Sequence, residues 1–181
     1  MRKEKEEMAF NDIVNPKVKT EHFKIYADVS GTGLSPTWEL QGRGISAWTI
    51  DNNQDIEKTP DVLGYVDMIR GTAQPTQTGV VIALRKNSKL AEILFDAWLT
   101  GDTSKIDAIK ILQKYEFVDG ATENTCKARL EEDVMIAINN FTGEAGDYLA
   151  FDVDIHYANK YTVGTMPKAD GAEITFTPDA A

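Results

Sequence analysis

Large apolar residues recur at every second position through much of this chain. In YLAFDVDIHYA, Leu149, Phe151, Val153, Ile155 and Tyr157 fall on one side, and Ala150, Asp152, Asp154 and His156 on the other. That is the pattern of a half-buried strand. ILQKYEFV places Ile111, Tyr115 and Phe117 on one face. CKARLEEDVMIAI alternates Cys126, Ala128 and Leu130 with Lys127, Arg129 and Glu131, and Val134, Ile136 and Ile138 continue on a second stretch. Asp170-Gly171 is a turn signal before EITFT.

One segment breaks the period of two. In SKLAEILFDAWLTG, Leu90, Ile93, Leu94, Ala97 and Trp98 are spaced as one face of a helix at about 88–100. Ser88 can accept a bond from the free N–H groups of the first turn, and Gly101 can close the end. Seven or more strands with a single helix predict a mainly β protein, an antiparallel sandwich or barrel with the helix outside.

Residues 1–37 follow neither period. Charges dominate 1–7, and Pro16, Gly31, Gly33 and Pro36 interrupt the rest. Yet Phe10, Ile13, Val14, Val18, Phe23, Ile25 and Tyr26 are more large apolar groups than a disordered tail carries. The expectation is an N-terminal arm over 1–37 that orders on a neighbouring subunit, followed by a β domain over 38–181.

With 181 residues, 42% hydrophobic and 27% charged, the chain suits one globular domain with a real core. Acidic residues outnumber basic ones 29 to 19, for a formal charge of −10. That disfavours stable binding to nucleic-acid phosphates, which needs clustered Lys and Arg. It does not disfavour DNA sliding past an acidic wall. Cys126 is the single cysteine, so no internal disulfide forms. No apolar run approaches the ~18 residues of a membrane span. No signal-peptide core follows MRKEKEEM. The expectation is a cytoplasmic product with no membrane partner.

WELQGRGISAWTIDNNQDIE holds two glycines one residue apart, two tryptophans and then a polar run. Gly42 and Gly44 with Ala47 formally fit a dinucleotide fingerprint, but a pyrophosphate needs a helix N-terminus there, and Ala47-Trp48-Thr49-Ile50 favours a strand. A strand bulge at Gly42 and Gly44 fits better. DNNQD resembles the start of a calcium loop, but Ile56 and Val62 stand where Gly and Glu are required. With His22 and His156 the only histidines and one cysteine, a zinc site is not built. Cys126, on the apolar side of its strand, reads as packing. Asp152 and Asp154 are spaced roughly 7 Å apart by strand rise, as a glycosidase pair could be, but a solvated strand face explains them more simply. The residues therefore carry no catalytic set, metal site or cofactor site.

The order of parts nevertheless resembles a known family. An extended N-terminal segment precedes LQGRGISAWTIDNNQDIE, then TPDVLGYVDMIRG, the lone helix SKLAEILFDAWL, and long alternating strands ending in EITFTP. This resembles the major tail protein, or tail tube protein, of long non-contractile (siphophage) tails over residues 20–178; the charged first seven residues depart from the pattern. The resemblance implies a β-sandwich or split barrel with one flanking helix, made in the bacterial cytoplasm and found in the virion tail. It implies homo-hexameric rings stacked into a tube through which phage DNA passes without specific binding. Tape measure, tail terminator and baseplate or distal tail proteins would be partners. Phe10, Ile13, Val14, Phe23, Ile25 and Tyr26 would join subunits, and Asp152 and Asp154 would face the lumen. The tubes of contractile tails, tailocins and type VI-like systems share this fold and are the alternative. A monomeric β-sandwich binding module and an enzyme using Asp152, Asp154 and His156 are the remaining rivals.

Overall fold

A computed structural model describes residues 10–11, 17–31, 35–41, 49–60, 62–63, 65–143, 147–169, 171 and 173–180. In chain order the strands are β1 (Phe23–Asp28), β2 (Trp38–Leu40), β3 (Ile50–Asp51), β4 (Ile56–Pro60), β5 (Val66–Arg70) and β6 (Thr76–Ala83). After the helix α1 (Lys89–Thr100) come β7 (Ile109–Asp119), β8 (Thr125–Thr142), β9 (Ala150–His156), β10 (Lys160–Pro167) and β11 (Thr177–Pro178). The protein is mostly β with one α-helix among the described residues. Two compact units emerge: residues 1–42, 110–131 and 161–181, and residues 43–109 with 132–160.

In the first unit β1 lies between β2 and β7, antiparallel to both, with Tyr26 opposite Leu40 on one side and Leu112 on the other. β8 follows β7, β10 pairs β8, and β11 pairs β10. Tyr26, Leu112, Cys126, Ala128 and Met166 form the core, flanked by Trp38, Leu130, Ile174 and Phe176. The turn between β7 and β8 needs Gly120, because a Cβ there would stand 2.4 Å from Thr125 Oγ1. That hydroxyl donates to the Thr122 carbonyl, and the Gly120 N–H donates to the Thr125 carbonyl at 2.9 Å.

Three of the residues expected in the arm lie in the sheet of their own chain instead. Phe23, Ile25 and Tyr26 form β1 inside their own sheet, and Ile25 and Tyr26 are buried in their own chain. β1 supplies two neighbouring strands with hydrogen-bond partners, and Gly31 and Pro36 follow that strand rather than mark an unpaired tail. Phe10 also contacts its own chain: it bridges to Val118, and its ring lies 5.7 Å from that of Phe117, although it stays exposed. Ile13, Val14, Gly42 and Gly44 lie outside the described residues.

In the second unit β9 pairs with β8 and β6, and β3 adds to β6. Phe151, Val153, Ile155 and Tyr157 are buried, as the alternation predicts. Leu149 is not: it is half exposed, because the strand starts at Ala150 and the regular alternation does not reach back past it. The helix is capped as its sequence implies. Ser88 Oγ accepts the Ala91 N–H, and Gly101, at φ 75°, donates its N–H to the Ala97 carbonyl. Its buried face is Leu90, Ala91, Leu94 and Ala97. Ile93 is only partly buried and Trp98 is 50% exposed, so the buried stripe is turned toward Ala91 from the expected one.

The two apolar stretches read in CKARLEEDVMIAI are one strand. Cys126 and Ala128 are buried, then Glu131, then Val134 and Ile136, so the inward parity changes once and changes back. Asp133, at φ 55°, lies between Glu131 and Val134, at the second of these changes.

Candidate functional site

Among the described residues no group of three His, Cys, Asp or Glu side chains could hold a metal ion. Cys126 is fully buried, and burial pushes its thiol above the ordinary range. A buried thiol held in its neutral form is a poor nucleophile. Asp152 and Asp154 share the outer face of β9, but both have local partners. The amide of Asn140 reaches Asp152 Oδ2 at 3.4 Å. Asp154 Oδ1 accepts the N–H of Gly79 at 3.0 Å. Gly79, at φ 66°, sits at a register shift between Gln77 and Val80 of β6, so Asp154 fastens a bulge. A side-chain bond from Asn139, then the Gly79 N–H, hold the Asp154 carboxyl below its usual range. His156 is exposed at the end of the same face.

The first unit contains a buried charge cluster that the alternation gave no hint of. Glu116 lies 2.8 Å from Lys24 Nζ and 2.9 Å from Lys114 Nζ, and the Lys114 side chain is almost wholly buried. Lys114 also donates to the Lys168 carbonyl at 2.9 Å. Burial by itself would raise the Glu116 carboxyl, but hydrogen bonds and charge from Lys24 and Lys114 together outweigh it and hold it below the usual range. Lys24 and Lys114 also line a cleft of about 480 Å³ with Tyr26, Leu40, Met166 and Glu173. Both ammonium groups already face Glu116, so the cluster braces β1 against β7 rather than presenting free charge. Lys24 and Lys114 are cross-strand partners, which could have been found had β1 been recognised as a strand.

The most conspicuous surface is the hairpin β4–β5. Its register is Ile56 with Arg70, Glu57 with Ile69, Lys58 with Met68, Thr59 with Asp67 and Pro60 with Val66. It joins no third strand among the described residues, and all ten of these residues are exposed. Leu63 is 77% exposed, Met68 69% and Ile69 60%. An isolated two-stranded hairpin is marginal in water at best, and this one keeps its apolar groups wet. Cross-strand partners share a face, so the two faces differ. One carries Ile56, Lys58, Pro60, Val66, Met68 and Arg70, apolar with two cations. The other carries Glu57, Thr59, Asp67 and Ile69. The sequence signal was present: Val62 and Leu63 stand at the turn, where polar residues would serve a solvated loop.

A second exposed apolar strip lies on α1. Phe95 and Leu99 are exposed, Leu99 by 71%, and Trp98 is half exposed. Phe95 and Trp98 stand 6.2 and 6.1 Å from the ring of Phe141. Among the described residues, no helix is long and apolar enough to cross a membrane.

No protein-family model and no curated protein matches the sequence. Solved structures do match the fold. A chain in the sheath/tube terminator of an extracellular contractile injection system (PVC, extended state) aligns over 83% of this chain and 98% of its own, at 12% identity and a TM-score of 0.51. A chain in the sheath–tube complex of PVC aligns over 85% and 94%, at 11% identity and a TM-score of 0.49. A chain in the tube-terminating cap of the anti-feeding prophage aligns over 86% and 95%, at 12% identity and a TM-score of 0.48.

Proposed function

We propose that this chain is a structural subunit of a tail-like injection machine, a tube or tube-terminator protein of a contractile system that assembles with copies of itself. The observation that carries this reading is the alignment of 98% of the PVC terminator chain. Such coverage is that of a whole chain, not of a shared β-ribbon. The wet apolar hairpin adds support, because a surface that costs solubility is expected where a partner covers it. No constellation in the described residues argues for catalysis. The siphophage tube remains the second reading, favoured by the order LQGRGIS, DVLGYVDM, lone helix and EITFTP. It differs in lacking a sheath partner and in passing DNA.

Negative-stain microscopy of the purified full chain across rising concentration tests the common part of both readings. Closed rings or stacked tubes are expected. A chain that stays monomeric at every concentration overturns them. Binding of the rings to sheath protein encoded beside the gene separates the contractile reading from the siphophage one.

A further inference from the structure

We infer that the cationic apolar face of the β4–β5 hairpin docks on the outer face of α1 in a second copy of this chain. The inference rests on the assembly reading above and names the surfaces that would carry it.

The hairpin face presents Ile56, Pro60, Val66 and Met68 with Lys58 and Arg70. On α1, Glu92, Phe95, Asp96 and Leu99 fall at i, i+3, i+4 and i+7, which is a single stripe. All four are exposed, opposite the buried Leu90, Ala91, Leu94 and Ala97. Acid and apolar residues thus alternate along the helix where cations and apolar residues are interleaved on the hairpin. The dimensions agree: the helical stripe is about 10 Å long by helical rise, and a five-residue strand spans about 13–17 Å. A competing strip fits less well. Tyr161 and Val163 of β10 are exposed, but the Tyr161 ring already carries a cation of its own chain, Arg129, 3.7 Å over its face, and Lys160 beside it is held by Asp133 at 2.8 Å.

Glu92 and Asp96 already hold Lys89 and Lys105 within their own chain. These are exposed pairs, worth about 0–1 kcal/mol, and can exchange partners at small cost. The hairpin face, roughly 10 by 17 Å, is well below the ~800 Å² per partner of a stable interface. One contact should therefore be weak alone and matter only when repeated. A hairpin-to-helix contact is heterologous, and such contacts propagate into rings or filaments rather than stopping at a dimer.

The test uses full-length chains carrying one new cysteine each, since Cys126 is fully buried and gives little background. A Met68→Cys chain and a Leu99→Cys chain are mixed at a concentration where the wild type assembles, then oxidised mildly. A disulfide-linked pair is expected. A Glu57→Cys chain mixed with Leu99→Cys should link about tenfold less, because Glu57 is on the other hairpin face. Independently, Lys58→Glu with Arg70→Glu should raise the concentration needed for assembly about tenfold, and Glu92→Lys with Asp96→Lys in the partner should restore it. Assembly without the 68–99 link and without charge-swap rescue overturns this docking but leaves the assembly reading intact. A 68–99 link formed within one dilute doubly substituted chain also overturns it, since the helix of the same chain would then be the occupant. Failure of the wild type to assemble at all overturns both.

Discussion

Asp154 and Gly79 meet across the β6–β9 pair, the carboxylate accepting the main-chain N–H at 3.0 Å. This bond fastens the bulge that shifts β6 out of register between Gln77 and Val80. Asp154→Ala should destabilise the protein by about 0.5–1.5 kcal/mol, the net value of a partly exposed hydrogen bond. Because the folded state holds the carboxyl below its usual value, this contribution is present above the unfolded value of 3.8 and fades as pH falls through the lower folded value. Urea unfolding of wild type and Asp154→Ala, at neutral pH and in acid, checks both size and direction. A gap that does not narrow in acid would show that the carboxylate is not what holds the bulge.

The Lys24–Glu116–Lys114 cluster gives a larger effect with the same sign. Removing one partner of a buried ion pair leaves charge uncompensated and costs about 3–5 kcal/mol. Lys114→Ala should approach the lower end, since Lys24 remains beside Glu116. With the Glu116 carboxyl below its usual 4.5, stability is fully present above that value and is lost as pH falls through the depressed folded one. Glu116→Gln should therefore flatten the acid limb of a stability–pH profile. An unchanged limb would assign acid sensitivity elsewhere.

The two faces of α1 should respond oppositely to truncation. Leu94 is fully buried, so Leu94→Ala should cost about 2–5 kcal/mol through the lost transfer energy and the cavity left behind. Leu99 is 71% exposed, and Leu99→Ala should change stability by less than about 0.5 kcal/mol. Thermal unfolding of the dilute chain measures both. If Leu99→Ala instead raises the assembly concentration while leaving the unfolding temperature alone, the outer stripe acts between chains.

Local periodicity made some of this fold legible and left other parts hidden. The helix was readable because Ser88, a 3.6-residue stripe and Gly101 all agree. β9 was readable because Phe151, Val153 and Ile155 alternate with Asp152 and Asp154. β1 was misread as an arm, because its place between β2 and β7 is set by pairing with residues about ninety positions away. The Lys24–Glu116–Lys114 cluster was hidden for the same reason: its three members meet only once β1 lies on β7. The β4–β5 hairpin could be drawn from DVLG and its flanks, and Val62 and Leu63 mark an apolar turn, but the exposure of its two strands could not be read, since a sequence does not say which apolar ribbons stay uncovered within their own chain.

Glu131 should oppose Glu116 in its pH response. It is buried, with only 2% of the residue exposed, on the turn of parity in β8. Arg129 Nε lies 2.6 Å from one of its oxygens, and the other oxygen has no hydrogen-bond partner. Burial raises its carboxyl above the usual 4.5, and the charge and hydrogen bond of Arg129 only partly offset that. The folded state therefore binds this proton more tightly than the unfolded state. Its contribution is fully present below 4.5 and is lost as pH rises through the higher folded value. Glu131→Gln keeps the shape and an acceptor for Arg129 while removing the ionisation. The variant should lose less stability than wild type as pH rises from the carboxylate range toward neutrality, whereas Glu116→Gln should lose less as pH falls. Paired urea titrations across that range separate the two. If Glu131→Gln leaves the slope unchanged, Arg129 compensates the buried charge completely, and the carboxylate at the parity change costs the fold nothing.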